Sequence, residues 1–233
     1  MTHARTLRRR TISLVALALS ALLALALVSG MVSARAGGTS VATRDHAAAA
    51  GAPKTARATF HDQMRKLWED HVTWTRLAIV TFADGSPGFE ATAARLLQNQ
   101  RDIGNAIAPF YGTAAGNRLA ALLHDHITIA VEVLQAAKAG DTSAFTAANA
   151  RWYANANDIA DFLAAANPRS WPQGVMRSDM RTHLDQTLAE AAHELHGQYA
   201  ASVADYEGIH AHILMMADQL SGGIITQFPS RFR

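Results

Sequence analysis

The chain of 233 residues contains no cysteine. This absence excludes disulfide bonds, thiolate-bound iron–sulfur clusters and catalysis by a thiol. It also removes the side chain on which a lipid anchor would be built. A domain of this length buries enough apolar surface to fold without disulfide bonds, even in an oxidising compartment.

Proline and strand-like patterns are also scarce. The chain has only six prolines, and after residue 58 its apolar residues recur every three or four positions without a stretch of strict alternation. This period predicts an all-α fold. The sequence also lacks a glycine-rich strand–turn–helix segment for a nucleotide and an H-E-x-x-H motif for zinc.

Positive charge is scarce beyond the N-terminus. Residues 1–36 hold five arginines and no acidic residue, which leaves 16 basic and 19 acidic side chains, a net charge of −3, on the rest of the chain. A nucleic-acid-binding surface needs clustered lysine and arginine on the folded part. We therefore expect no nucleic-acid partner.

The N-terminus has the pattern of an export signal. Arginines precede an uncharged run at 11–33, and Ala34-Arg35-Ala36 matches an A-x-A cleavage site. We expect a signal peptide over 1–36, and therefore a periplasmic, secreted or envelope-associated protein. The alternative is an uncleaved anchor, since a spanning helix needs about 20 apolar residues. That segment would be the only contact with a membrane.

Residues 37–58 are small and polar without periodicity, which predicts a disordered linker before a domain at 59–233. Within the domain, glycine and proline breaks separate six periodic segments. We expect the second helix to end near residue 108, before Pro109. Short connections predict three antiparallel hairpins that form a six-helix bundle.

Histidines recur at the same place in these hairpins. His71, His126 and His183 are 55 and 57 residues apart, and each stands in the first helix of its hairpin. The flanking segments align weakly with one another, as do the second helices. This recurrence predicts three copies of one helical hairpin.

Each of these histidines interrupts an apolar helix face. At 100° per residue, each lies among leucine, methionine, isoleucine or alanine side chains. Each residue advances a helix by about 1.5 Å, so residues of the two helices that are equally far from the hairpin turn lie at the same level of the bundle. We therefore expect one buried polar layer, made of His71, Asn99 or Gln100, His126, Asn155, His183 and His210.

Two interpretations of this layer remain open. Asparagine and glutamine amides complement the one donor and one acceptor of a neutral imidazole, which favours a structural or ligand-contacting network without a cofactor. Imidazoles on facing helices also bind transition metals in helical bundles. The metal alternative uses His71, His126, His183 and His210 as ligands.

The sequence shows no catalytic motif. Glu190, with His193 one turn later, is the only acid–base lead for an enzyme. Di-iron bundles use this Glu-x-x-His spacing, but they need two such motifs. We therefore expect a non-enzymatic module that binds a small ligand or an envelope protein, with a metal-binding bundle and an enzyme as alternatives.

Four segments carry a resemblance to a known group. LWEDHVTWTRLAI (67–79), LLQNQRDIGNAIAPFYG (96–112), RWYANANDIADFLAAANP (151–168) and MADQLSGGIITQFP (216–229) resemble a widespread family of uncharacterised bacterial exported helical proteins. The resemblance implies an exported all-helical protein and no particular activity. Some relatives carry the labels glycosyltransferase or acetylglutamate kinase, and neither label is supported by the residues of this chain.

Overall fold

The computed structural model describes residues Lys54 to Arg233 and confirms the predicted all-α fold. The elements are α1 (Ala56–Ala83), α2 (Phe89–Tyr111), α3 (Thr113–Ala139), α4 (Thr142–Ala166), α5 (Gln173–Leu195), α6 (Tyr199–Gln227) and a 3-10 turn (Pro229–Phe232). No strand occurs between Lys54 and Arg233. The expected signal peptide and most of the expected linker lie outside the described residues.

Short polar residues and glycine set the helix boundaries. The Thr55 hydroxyl caps α1 by accepting a hydrogen bond from the Ala58 amide at 3.2 Å, and Asp141 caps α4 in the same way. Because of this cap, α1 begins at Ala56, three residues before the expected start of the domain. Gly140 ends α3 with a φ of 68°, in the left-handed region that glycine adopts without strain.

The second helix is longer than the sequence pattern predicts. We expect α2 to end near residue 108, but it continues through Pro109 to Tyr111. Proline removes only its own amide donor, and the Gly112 amide still donates to the Ala108 carbonyl at 2.9 Å. The last turn therefore forms in spite of the proline.

The six helices form a closed ring. Each helix packs against its neighbours in the chain, and α6 packs against α1. Short connections make neighbouring helices antiparallel. We call α1–α2, α3–α4 and α5–α6 the first, second and third hairpins. Their first helices, α1, α3 and α5, carry His71, His126 and His183.

The two ends of the bundle are filled differently. At one end, Phe60 and Phe232 pack on Phe110, with the Phe110 and Phe232 rings stacked and their centroids 5.5 Å apart. At the other end, where α1, α3 and α5 finish, alanines and helix turns surround a groove. Aromatic side chains therefore close the first end, whereas the second end is open.

Two glycines fix the crossing of α2 and α3. A Cβ atom at Gly104 would stand 2.5 Å from the Gly116 carbonyl oxygen, and one at Gly116 would stand 2.6 Å from the Gly104 carbonyl oxygen. Side chains at these positions would force the helices apart. The two backbones therefore touch at this point of the ring.

Among the described helices, α3 alone is long and apolar enough to cross a membrane, with a mean hydropathy of 1.2 over its most apolar window. In the bundle, however, α3 packs between α2 and α4 and contributes Leu119, Leu122 and Leu123 to the core. The core helix of a folded domain passes the same test of length and composition.

Candidate functional site

Six of the seven residues expected in the polar layer are buried in the bundle. His71 and His126 are each 2% exposed, and His183 is 3% exposed. The amide side chains of the first two hairpins are buried as well: Asn99, Gln100 and Asn155. The seventh residue, His210, lies elsewhere. We call His71, His126 and His183 the imidazole layer.

In the first hairpin, amide side chains hold His71 in place. Gln100 Nε2 stands 3.4 Å from His71 Nδ1 and donates to the Leu96 carbonyl of its own helix. Asn99 Nδ2 donates at 2.9 Å to the Leu67 carbonyl, one turn before His71. Asn99 and Gln100, which the sequence offers as alternatives, therefore both contribute.

In the second hairpin, a single residue makes both contacts. His126 Nδ1 donates to Asn155 Oδ1 at 2.8 Å, while Asn155 Nδ2 donates at 3.1 Å to the Leu122 carbonyl, one turn before His126. The Nδ1–H tautomer of a neutral imidazole fits this geometry, because an amide oxygen only accepts hydrogen bonds. His126 Nδ1 therefore has its hydrogen-bond partner on the second helix of the hairpin.

In the third hairpin, His212 occupies the corresponding position on the second helix, which the apolar pattern does not predict. His212 Nε2 donates at 3.0 Å to the Asp179 carbonyl, one turn before His183. The pairs His71–Gln100 and His126–Asn155 are each 29 residues apart, and the same interval leads from His183 to His212. This constant interval is the signal that could have identified His212.

His210 does not belong to the layer, which corrects the expectation of a fourth buried imidazole. Its side chain is 32% exposed, and its Nε2 lies 3.3 Å from Glu69 Oε1. The reason is helix phase, because Ile209 and Ile213 face the core and His210 lies about 100° round the helix from Ile209. His210 also contacts the ring of Tyr206.

Among the ring nitrogens of the imidazole layer, His183 Nδ1 is the one that is both fully buried and without a hydrogen-bond partner. His183 Nδ1 is buried and makes no hydrogen bond within the described part of the chain, because His212 reaches the Asp179 carbonyl and not the imidazole. A buried polar atom that is left unpaired costs about 1–3 kcal/mol. The third hairpin therefore differs from the second at one nitrogen atom.

Burial keeps all three imidazoles uncharged at neutral pH. It lowers the pKa of His71 to about 3, with a smaller contribution from repulsion by His126, and it lowers the pKa of His126 to about 4. Burial also holds the pKa of His183 well below 6.5. The layer can therefore donate and accept hydrogen bonds without carrying charge.

The three imidazoles line a cavity of about 50 Å³ between α1, α2, α3, α4 and α5. The His183 ring centroid is 5.8 Å from that of His71 and 6.4 Å from that of His126. The other wall residues are almost all apolar, and Thr75 and Thr187 direct their hydroxyls to carbonyls of their own helices. The three imidazoles and the indole of Trp152, whose Nε1 is also buried without a partner, therefore carry the remaining polar groups of the lining residues.

Neutral imidazoles are in the protonation state that transition metals bind. Between Lys54 and Arg233, however, no three histidine, aspartate or glutamate side chains are arranged to hold a metal ion. With His210 at the surface, three of the four proposed ligands remain together.

A second buried polar cluster surrounds Glu190, whose side chain is 1% exposed. Arg76 Nη1 donates to Glu190 Oε1 at 2.6 Å and to Ser202 Oγ at 3.0 Å, and Ser202 Oγ donates to Glu194 Oε2 at 2.5 Å. We call these four residues the Arg76 cluster. Burial raises the pKa of Glu190 to about 7, although the Arg76 guanidinium opposes this shift.

The chain matches no family model, no curated protein and no solved structure.

Proposed function

We propose that the protein is an exported, non-enzymatic helical bundle that binds a small, uncharged and largely apolar molecule at the imidazole layer. The observation that supports this most directly is His183, a residue of the cavity wall whose Nδ1 is buried without a hydrogen-bond partner. A hydroxyl or amide group of a ligand would supply the missing hydrogen bond.

The properties of the cavity favour an uncharged ligand. The imidazoles are neutral at pH 7 because of their lowered pKa values, and the rest of the wall is apolar. An ion placed there would lose its hydration without gaining a counter-charge, which costs far more than burying an apolar group. Specificity would come from one hydrogen bond and the shape of the wall.

The proposal of export follows from the N-terminal sequence. The arginines, the uncharged run at 11–33 and the A-x-A site are typical of a signal peptide. We also infer that the three hairpins are copies of one unit, because their polar contacts recur at the same interval. In this view, replacement of the second-helix amide by His212 left the nitrogen of His183 open for binding.

The enzymatic alternative has less support. Glu190, its acid–base lead, has a raised pKa, but it pairs with Arg76 and does not belong to the cavity wall. A general acid or base must reach the reacting atoms directly or through one water. Glu190 therefore serves the proposed site only as part of the surrounding fold.

The proposal can be tested with n-butanol, an uncharged molecule with one hydroxyl. In protein with ¹⁵N-labelled histidine, we expect butanol to shift the His183 Nδ1 resonance and to leave the His210 nitrogens unchanged. His183→Leu should remove the binding measured by calorimetry, whereas the matched surface variant His210→Leu should keep it. A His183 resonance that stays constant under saturating butanol would rule out this site.

A metal-binding function is the second candidate, because His71 and His126 both lie beside His183 and all three are neutral. It predicts one equivalent of transition metal in protein purified without chelator. It also predicts a visible cobalt(II) spectrum that is lost in His183→Leu and kept in His210→Leu. Protein that is free of metal, does not bind cobalt and melts at the same temperature in EDTA would exclude this candidate.

A further inference from the structure

The size of the cavity limits what it can hold. An engineered cavity of about 150 Å³ in another protein accommodates benzene, whereas the cavity at the imidazole layer measures about 50 Å³. It can therefore contain only a few heavy atoms of a ligand. Any larger molecule that reaches His183 must extend beyond the cavity.

A second hollow lies next to the cavity. The groove at the open end of the bundle measures about 630 Å³ and is lined by the last turns of α3 and α5 and the start of α4. We call it the end groove. Its wall is largely apolar and includes Ala137, Phe145 and Leu195.

Only a thin wall separates the two hollows. Val133, Leu134, Leu188 and Ala191 border both the cavity and the end groove. Along α5, the distance from His183 to His196 is about 20 Å at 1.5 Å per residue. A slender molecule could therefore run from the mouth of the groove to the imidazole layer once Leu134 and Leu188 change rotamer.

We propose that the end groove and the cavity form one elongated site for an alkyl-chain amphiphile. A terminal hydroxyl of this ligand bonds His183 Nδ1, and its chain passes the wall at Ala191 into the end groove. This inference rests on the proposed function, since it requires that the cavity receives the polar tip. It adds the class of ligand, its direction and its route of entry.

Three features of the site support a chain rather than a compact ligand. The cavity is too small for a ring, the groove is larger and mainly apolar, and the wall between them is lined by small or aliphatic side chains. His183, which carries the unpaired nitrogen, lines the cavity and not the end groove, so the polar group of the ligand must enter first. The opposite end of the bundle is closed by phenylalanines and offers no comparable route.

A series of straight-chain alcohols from ethanol to octanol tests the proposal by calorimetry. Burial of each added methylene in the groove should tighten the dissociation constant about fourfold. Affinity that rises with chain length up to octanol supports the elongated site. Butanol and octanol of equal affinity would overturn it while leaving the proposed function intact. Failure of every alcohol to bind would contradict both.

Matched variants locate the chain in the end groove. Ala137 is exposed on the groove wall, and Ala139 is exposed on the same helix outside that wall. Ala137→Glu should weaken octanol binding at least tenfold and leave butanol binding unchanged, because only the longer chain reaches the groove. Ala139→Glu, which adds the same charge two residues further along the same helix, should change neither affinity. Equal octanol affinity in both variants would overturn the proposed route.

A further pair tests the wall between the two hollows. Ala191→Leu should slow or abolish octanol binding by filling the passage, whereas Ala189→Leu on the same helix lies outside both walls. If Ala191→Leu fails to fold because its site is tightly packed, the exposed pair at 137 and 139 still decides the question. A folded Ala191→Leu that binds octanol as tightly and as fast as the wild type would contradict the route.

Discussion

Two polar clusters lie inside this bundle, and they differ in charge and in completeness. The imidazole layer is uncharged, borders a cavity and has one fully buried nitrogen without a partner. In the Arg76 cluster, a guanidinium joins Glu190 to Ser202, and Ser202 bonds Glu194. Burial is common to both clusters. The residues of the layer line the cavity and those of the Arg76 cluster do not, and that is why we assign binding to the layer.

Because the two clusters differ in charge and in completeness, substitutions in them should have different effects on stability. Charges in a buried cluster depend on one another, so removing one partner leaves an uncompensated ion. A neutral layer with an unpaired atom loses little when that atom is removed, because its hydrogen bond was never made. Substitutions should therefore be costly in the Arg76 cluster and cheap at His183.

A change to acidic pH should produce the largest difference between the stability contributions of the two clusters. A histidine with a pKa lowered by folding takes up its proton only on unfolding, so lowering the pH from 7 to 5 destabilises the folded state. With pKa values of about 3 and 4 in the folded protein, His71 and His126 should together cost about 4 kcal/mol at pH 5. Urea unfolding at the two pH values measures this loss.

Acid should change the contribution of Glu190 to stability in the opposite direction, because the pKa of Glu190 is raised to about 7. Its protonation between pH 7 and 5 should return about 2 kcal/mol to the folded state. Glu190→Gln should therefore steepen the loss of stability in acid by about that amount, whereas the exposed Glu207→Gln should not. An unchanged slope in Glu190→Gln would mean that this carboxyl titrates in the ordinary range.

Removal of the cation should be the most costly single substitution. Arg76→Met leaves Glu190 buried without a counter-charge, and we expect a loss of about 3 kcal/mol in the free energy of unfolding at pH 8. The loss should shrink at pH 5, where Glu190 is protonated. The double variant Arg76→Met with Glu190→Leu should recover most of it. A double variant as unstable as Arg76→Met would show that packing, not charge, is responsible.

Within the imidazole layer, the second and third hairpins should respond differently. Asn155→Leu leaves the His126 donor unpaired and should cost about 2 kcal/mol. His183→Leu removes an atom that is already unpaired, and we expect a change below about 1 kcal/mol. Equal losses in the two variants, measured by urea unfolding, would show that His183 is hydrogen bonded in solution.

The smallest effects should distinguish two neighbouring histidines of α6. His212→Ala removes the hydrogen bond to the Asp179 carbonyl and should cost about 1 kcal/mol. His210→Ala removes a half-exposed contact with Glu69 and should change stability by no more than about 0.5 kcal/mol. Thermal unfolding of both variants would check this order, and the reverse order would contradict the placement of His212.

Much of this architecture follows from periodicity. The spacing of apolar residues predicts the six helices, and hairpin height predicts the shared level of His71, His126 and His183. The same arithmetic fails for His210, because two residues of a helix differ by only about 3 Å in height but by about 200° in direction. Comparing the hairpins at a fixed interval of 29 residues would have separated His210 from His212.

Contacts between distant hairpins are harder to predict. Glu190 and Arg76 are 114 residues apart, and no local pattern links a carboxylate on α5 to a guanidinium on α1. The cavity is equally difficult to predict from the sequence, because its volume depends on how alanine and leucine side chains from several helices pack together. The predicted end of α2 before Pro109 is wrong for another reason, since a proline in the last turn removes one donor without ending the helix.

Closure of the ring has a consequence for the number of hairpins. In an open solenoid, the terminal units need polar capping faces, and units can be added or lost one at a time. Here α6 packs against α1, so each hairpin is covered on both flanks by another hairpin. Deletion of one hairpin would expose two apolar flanks at once. Evolution could therefore change the size of this bundle only by rebuilding the whole circle.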